Sequence, residues 1–295
     1  MSFNFESKAA KRLVEAYSKR SITEGVFSNK YDWDGVATIR LRSLPTYQLQ
    51  EYDWDKTNGS RFGTLVEQED KVQPLTITQD YAWNIAIDKR NNTSTMMEKA
   101  AGTITANQVK YQLIPQTDKY RLAAIAAGNG VEGFGGAGGG TIQYNVSMTK
   151  SNAVETIMSS NATMNNLFAT EDRVLFIKET EVIKLKLADQ VLGAGATVQD
   201  AADRIIKRGE LGVIDGLHIV KVPDSYMPSG IVYMIVAKDA VVAPTKIKTL
   251  RVLNEHPDVD GAVCQGRVLY DCFVIAEHAN GILVASSASG ATGQT

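Results

Sequence analysis

The alternation of apolar and polar residues predicts where the chain is helical and where it is extended. Within Asn91–Gly128, apolar side chains such as Ile104 recur every three or four residues, which puts them on one face of a helix. Pro115 lacks an N–H group and clashes with the preceding turn, so we expect the helix to break there. A second helix should run over residues 116–127 and end at the glycine that follows.

Two extended segments precede this helix. Residues 36–42 carry an apolar side chain at every second position, which predicts a strand with one buried face. Residues 47–88 are predicted to form a long hairpin: a polar and aromatic strand over 47–54, a turn marked by Asn58–Gly59, and a return strand over 75–88. The hairpin has too few apolar residues on either face for the core of a monomer, so we expect it to extend and rest on another surface.

The residues after the long helix predict a second, compact part. A glycine-rich loop over residues 128–140 marks the boundary, and the apolar run RVLFIK at 173–178 predicts a buried strand. Helices are also predicted at 151–168, 180–192 and 197–207, and strands at 211–214, 217–222, 231–236 and 281–286, with two more around a turn within 247–275. The whole pattern indicates an α+β fold.

The composition is that of a soluble globular protein, because the 295 residues are 44% hydrophobic and 22% charged. The formal net charge of -2 offers no electrostatic attraction to nucleic acid or to an anionic membrane. The two cysteines, Cys264 and Cys272, lie too far apart along one predicted strand to bridge, which indicates a reducing compartment. There is no signal peptide and no apolar run near the roughly 20 residues that span a bilayer, so we expect the chain to fold in a cytoplasm, without a membrane partner.

No residue pattern points to catalysis, a cofactor or a metal. The three histidines, His218, His256 and His278, have no cysteine or glutamate at a metal-ligand spacing and are expected to be ordinary surface or interface residues. The glycine-rich loop lacks the lysine of a phosphate-binding loop and follows a helix instead of a strand. We therefore predict that the protein is not an enzyme.

The hairpin instead carries residues typical of a contact surface. Its aromatic side chains could stack on sugars or bases, but the negative net charge favours interface anchors. For Trp83, on the return strand, packing in the core is an equal alternative. The carboxylates of Glu67 and Glu69 are expected to be solvated or to meet basic residues of a neighbour. The predicted inter-subunit contacts are Tyr52, Trp54, Arg61, Glu67, Glu69 and Lys71.

Three segments, in this order along the chain, resemble a known family. The first is Leu75–Lys89 together with the helices that follow it, and the second is Glu171–Lys178. The third is a succession of strands over 212–220, 240–244, 259–263 and 268–275, the first of which contains the Asp-Gly pair at 215–216. Their order resembles the major capsid proteins of tailed bacteriophages, with the fold first seen in the Hong Kong 97 phage.

The resemblance implies an architecture of four parts. The first is an N-terminal arm, and the second is an extended hairpin called the E-loop. The third is a P-domain with a spine helix, and the fourth is a mixed-sheet A-domain. The implied boundaries are 1–35 for the arm, 47–83 for the E-loop, 36–46, 84–128 and 246–278 for the P-domain, and 129–245 and 279–295 for the A-domain. Such a protein would assemble in the host bacterial cytoplasm as hexamers and pentamers, and these would form the icosahedral shell of a virion around double-stranded DNA.

The resemblance also implies partners. Because residues 1–35 leave no room for a fused scaffolding segment, we expect a separate scaffolding protein, and a portal. Some family members crosslink their subunits through a lysine of the E-loop. Lys56 and Lys71 lie in that region, but nothing identifies the other two participants. Without crosslinks, many noncovalent contacts or a cement protein must hold the shell.

The sequence leaves alternatives for the partner of the basic arm and for the kind of shell. The basic arm at residues 8–20 could face DNA, an acidic helix of the scaffold, or a neighbouring subunit. The shell could also be that of an encapsulin nanocompartment, which shares the fold and encloses enzymes. An unrelated carbohydrate- or nucleotide-processing enzyme is a third reading, but no convergent polar residues support it.

Overall fold

The computed structural model describes residues 21–27, 38–44, 46–55, 60–89, 101–136, 139–186, 211–253, 257 and 259–288. The basic arm at 8–20, the helix predicted at 197–207 and His256 lie outside these ranges.

The long helix is continuous where the sequence predicts a break. Helix α1 (Ala101–Gln108) runs through a π-helical turn (Val109–Leu113) directly into helix α2 (Ile114–Ala126). The predicted break at Pro115 is therefore wrong. The helix continues because of the wider π-helical turn, where the N–H of Ile114 donates to the carbonyl of Val109, five residues back. Pro115 follows at the point where bonding returns to the α pattern, so its missing N–H interrupts nothing.

The end of α2 agrees with the prediction. Gly128 adopts the left-handed conformation with φ +64°, which glycine takes without strain. Its N–H donates to the carbonyl of Ile125 at 3.0 Å, and the N–H of Asn129 donates to that of Ala124 at 2.9 Å. These two bonds satisfy the last carbonyls of the helix.

The predicted return strand is two strands in two different sheets. Strand β1 (Thr38–Ser43) pairs antiparallel with β2 (Lys71–Thr76), whereas β3 (Gln79–Asp88) joins another sheet. The expectation of one strand over 75–88 is therefore wrong. Between the two strands, the backbone N–H and the hydroxyl of Thr78 donate to a carboxylate oxygen of the buried Asp271 at 2.8 and 3.0 Å, which redirects the chain.

A three-stranded sheet holds the long helix. Its order is β10 (Thr245–Leu253), β11 (Gly261–Tyr270) and β3, all antiparallel, and α1 packs on β11. The two strands predicted within 247–275 are thus confirmed. The indole of Trp83 lies over Gly266, where a Cβ atom would come within 2.1 Å of the ring, so this half-buried tryptophan packs on the neighbouring strand β11.

A six-stranded mixed sheet forms the second lobe. Its strands are β4 (Thr141–Gln143), β5 (Arg173–Lys178), β6 (Leu211–Ile214), β7 (Leu217–Val222), β8 (Ile231–Ala237) and β13 (Ile282–Ser286). Their order in the sheet is β4, β13, β8, β5, β7, β6. Leu122 and Ile125 of α2 pack against Phe176 on one face. Helices α3 (Ala153–Asn166) and α4 (Glu179–Lys186) cover the other face.

Short elements join the two lobes. Strand β9 (Val241–Val242) pairs with β12 (Phe273–Val274), and a 3-10 helix (Ala276–Gly281) leads into β13. Cys264 and Cys272 are both buried, and no disulfide joins them. Among the described residues, no helix has the length and apolar character that crossing a bilayer requires.

Candidate assembly surface

Residues 44–70, here called the extended loop, connect β1 to β2 and expose an unusual amount of apolar surface. Leu49 and Leu65 are almost fully exposed, and Trp54 and Phe62 are 81% and 82% exposed. Leu44, Tyr47, Tyr52 and Val66 are exposed as well. So many exposed apolar side chains within one loop are typical of an interaction site.

The two arms of the extended loop keep the register of the β1–β2 ladder without being strands. The hydroxyl of Tyr47 donates to the carbonyl of Glu67 at 3.1 Å, and the N–H of Asp53 donates to the carbonyl of Arg61 at 2.9 Å. Each of these residues lies opposite its partner when the pairing of Ser43 with Lys71 is continued outward. The loop is therefore an extension of the β1–β2 hairpin.

The strand predicted at 47–54 is absent from the described part of the loop. The side chain of Gln50 bridges the arms instead: its Oε1 accepts from the N–H of Thr64 at 2.7 Å. It lies over Gly63, which has φ +79° and where a Cβ atom would overlap the amide. Because a side chain occupies the position of the ladder bond, the arms stay in register but no regular strand forms.

An aromatic cluster stands near the tip. The ring of Tyr52 meets that of Trp54 edge to face, with centroids 5.4 Å apart, and that of Phe62 in the same way at 5.2 Å. Such edge-to-face pairs contribute about 0.5–1.5 kcal/mol each. The cluster is thus held in one arrangement while all three of its residues remain exposed.

The structure brings together some of the predicted contact residues. Tyr52 and Trp54 share the aromatic cluster. Arg61 is exposed, and its backbone carbonyl accepts a bond from Asp53. Glu67 and Glu69 are exposed, and their backbone groups bond to the hydroxyl of Tyr47. Lys71 begins β2.

Sequence reasoning missed Phe62. A two-residue turn at Asn58–Gly59 would have paired Phe62 with Asp55, whereas the observed register puts it opposite Tyr52.

The side chain of Gln73 fastens strand β2, which carries the loop, to the glycine-rich loop and to the chain around β12. The amide nitrogen of Gln73 donates to the carbonyls of Gly130 and Val274 at 2.6 and 2.8 Å, and its oxygen accepts from the N–H of Ala276 at 3.0 Å. Three bonds from one amide fix the base of the loop relative to the glycine-rich loop and β12.

A buried carboxylate ties the same junction to the long helix. Asp271 is fully buried and accepts, besides the two bonds from Thr78, the hydroxyl of Tyr120 at 2.7 Å and the N–H of Cys272 at 2.8 Å. Burial, and then the bond to Asp271, raise the pKa of Tyr120. Burial raises the pKa of the Cys272 thiol from 9.0 to about 12. Both groups therefore stay neutral at physiological pH.

A second buried carboxylate anchors the described residues before β1. Asp118 of α2 accepts from the N–H of Ile22 at 3.0 Å and from the hydroxyls of Ser21 and Thr23 at 2.9 and 2.6 Å. Arg121 donates to Thr23 at 3.2 Å from the next turn of the helix. Residues 21–27 are thus fastened to the long helix.

The described residues contain no group of three or more His, Cys, Asp or Glu side chains that could hold a metal. His218 and His278 are exposed, and the Nδ1 atom of His278 lies 3.6 Å from a carboxylate oxygen of Asp239. This arrangement is an ordinary surface pair.

Comparison with known proteins identifies the fold. No protein-family model matches the chain, and no curated protein matches its sequence. A chain in a structure of Mycobacterium phage Che8 superimposes with a TM-score of 0.76 and 15% identity, over 98% of this chain and all of that one. The capsid structure of cyanophage P-SCSP1u gives 0.66 and 15%, over 97% and 94%. The mature capsid of bacteriophage PhiM1 gives 0.66 and 11%, over 97% and 91%.

The chain therefore has the α+β fold of phage capsid proteins over nearly its whole length, which confirms the predicted fold class. Since the identities are low, the likeness establishes the fold, and function needs a separate argument.

Proposed function

We propose that this protein is the major capsid protein of a tailed bacteriophage, a structural protein without enzymatic activity. The observation that carries the proposal is the exposed apolar loop on a phage capsid fold. A monomer gains nothing from exposing Leu49, Trp54, Phe62 and Leu65, whereas a neighbouring subunit would bury them. Burying one such side chain contributes about 1.5–3 kcal/mol.

Shell assembly suits this distribution of contacts. Subunits would form hexamers and pentamers that close into an icosahedral shell around double-stranded DNA, in the cytoplasm of the host bacterium. A net charge near zero would prevent the inner wall of the shell from binding the DNA tightly, because affinity for phosphates grows with the number of cationic contacts. A separate scaffolding protein and a portal complete the proposed partners, and a cement protein is required only if noncovalent contacts between subunits do not suffice.

Residues 47–70 of the extended loop belong to the proposed E-loop. The proposed contact residues are Tyr52, Trp54, Arg61, Glu67, Glu69 and Lys71, to which the structure adds Phe62. The aromatic cluster would anchor the contact, and the charged side chains would form its rim. In the proposed division, 1–35 is the arm, 47–83 the E-loop, 36–46, 84–128 and 246–278 the P-domain, and 129–245 and 279–295 the A-domain. The phage origin of the structures compared above favours a virion shell over an encapsulin.

Electron microscopy of the purified chain, alone and with a candidate scaffolding protein, tests the proposal. Uniform closed shells, or hexamers and pentamers, are the expected particles. A strictly monomeric protein at high concentration under both conditions would refute it. Shells filled with host enzymes, in a genome without portal and terminase genes, would support the encapsulin instead.

A further inference from the structure

Phe168 is the most exposed large apolar side chain among the described residues outside the extended loop. It is 96% exposed and lies between α3 and β5, in the lobe of the six-stranded sheet. Leu167 beside it is 38% exposed. Phe168 and Leu167 therefore lie in a different part of the molecule from the extended loop.

The backbone at Phe168 has the conformation that normally selects glycine. Its φ is +56°, and it occupies the position just after the end of α3. The N–H of Phe168 donates to the carbonyl of Asn165 at 3.0 Å, and the N–H of Ala169 donates to that of Met164 at 3.1 Å. This is the hydrogen-bond pattern of a helix end closed by a left-handed residue, where a phenylalanine is strained and a glycine is not.

A buried arginine holds this strained turn in place. Arg173 is 1% exposed and donates to the carbonyls of Ala169 and Thr170 at 2.5 and 2.6 Å, and to the side-chain oxygen of Asn161 at 2.6 Å. Two of its bonds thus fix the two residues that directly follow Phe168. A strained backbone, a fixed turn and an exposed ring together present the aromatic side chain to a partner.

We propose that Phe168 anchors a second contact between copies of this chain, separate from that of the extended loop. The proposal rests on the capsid function. One heterologous interface, repeated, produces only a ring or an open filament, so a closed shell needs a second, independent one. The extended loop supplies one apolar contact, and Phe168 is the strongest apolar candidate for another.

Two variants separate this role from a structural one. Phe168→Gly removes the ring and relieves the left-handed strain, and Phe168→Asn removes the ring but keeps a residue that tolerates this conformation. We expect the urea midpoint of unfolding of each variant subunit to be no lower than that of the wild-type subunit. Their critical concentration for assembly should rise at least about tenfold, as loss of an anchor residue implies. Asn145→Gly is the matched control, because Asn145 is also exposed with φ +56° but has no aromatic ring.

The outcomes distinguish this inference from the capsid proposal. If the wild type forms shells and both variants form them at the same critical concentration, the second contact is refuted and the capsid function stands. If Asn145→Gly impairs assembly as strongly, the backbone freedom of a glycine in a turn is the cause and the role of the ring is refuted. If the wild type never assembles, the capsid function fails and this inference fails with it.

A labelling experiment locates the contact. The two native cysteines are both buried, so Phe168→Cys adds a single accessible thiol. Its reaction with a maleimide should be at least about tenfold slower in the shell than in the free subunit, since interface burial excludes the reagent. Equal rates would overturn the proposal.

Discussion

Replacing Asp271 by asparagine tests the account of how the base of the extended loop is fixed. The carboxylate is fully buried and accepts four hydrogen bonds, from the N–H and hydroxyl of Thr78, the hydroxyl of Tyr120 and the N–H of Cys272. An asparagine keeps one acceptor oxygen and replaces the other by an NH2 group. In either orientation of the amide, donors that faced a carboxylate oxygen then face another donor.

The expected loss of stability follows from these bonds. A hydrogen bond to a charged group contributes about 1.5–3 kcal/mol, and a buried donor left without a partner costs a similar amount. The bonds share one group and do not add fully, so we expect the free energy of unfolding to fall by about 3 kcal/mol. Urea denaturation followed by circular dichroism should show a lower midpoint with an unchanged slope.

Asp80→Asn is the matched control, because Asp80 pairs with Arg267 at 2.6 Å on the surface. The side chain of Asp80 is 41% exposed, so solvent screens the pair and its loss should shift the midpoint far less. If Asp271→Asn changed stability no more than this control, the buried carboxylate would not hold the junction, and the reasoning would be wrong.

Three further predictions concern packing, anchoring and pH. Gly266→Ala should displace the indole of Trp83, lower stability by about 1–3 kcal/mol and shift tryptophan emission to longer wavelength; unchanged emission would contradict the packing described. Asp118→Ala should speed amide hydrogen exchange of residues 21–27 by at least about tenfold while the sheets stay protected, because their buried donors lose an acceptor worth about 1–3 kcal/mol. The Cys272 thiol stays protonated up to about pH 12 when folded but ionises near 9.0 when unfolded, so its contribution to stability is complete below pH 9 and declines above it. Cys272→Ala should flatten this decline, and an identical alkaline profile would contradict the assignment.

Elements whose burial is complete could be predicted from the sequence. The run RVLFIK lies between two apolar layers, and the strand has the bounds predicted for it, Arg173–Lys178. The helix end at Gly128 is also local, because a glycine and its own turn determine it.

The features that were predicted wrongly or missed depend on distant residues. Nothing in the alternation of residues 75–88 reveals that Thr78 binds Asp271, nearly two hundred positions away. The helix through Pro115 needs a π-helical turn, which leaves no pattern in the residues. The one available signal for this junction was Asp271 itself, a lone aspartate within an apolar run, since a buried carboxylate must find hydrogen-bond donors.

The contact residues show the same division. The exposure of the aromatic residues of the extended loop could be predicted from their place in a hairpin without a core, and their role as interface anchors stays a prediction. The place of Phe62 in the aromatic cluster depends on the register of the two arms. The exposure of Phe168 depends on a left-handed backbone conformation that the local composition does not indicate.

A shortened loop tests the central claim most directly. Replacing residues 47–67 by Asn-Gly removes the exposed part of the loop and leaves the ladder between Thr38–Ser43 and Lys71–Thr76 intact. Sedimentation velocity at matched concentrations should show shells for the wild type and free, folded subunits for the variant, with similar thermal unfolding of the two subunits. Normal shells from the shortened chain would contradict the claim that this loop joins the subunits, and an unfolded variant would show that the loop belongs to the core.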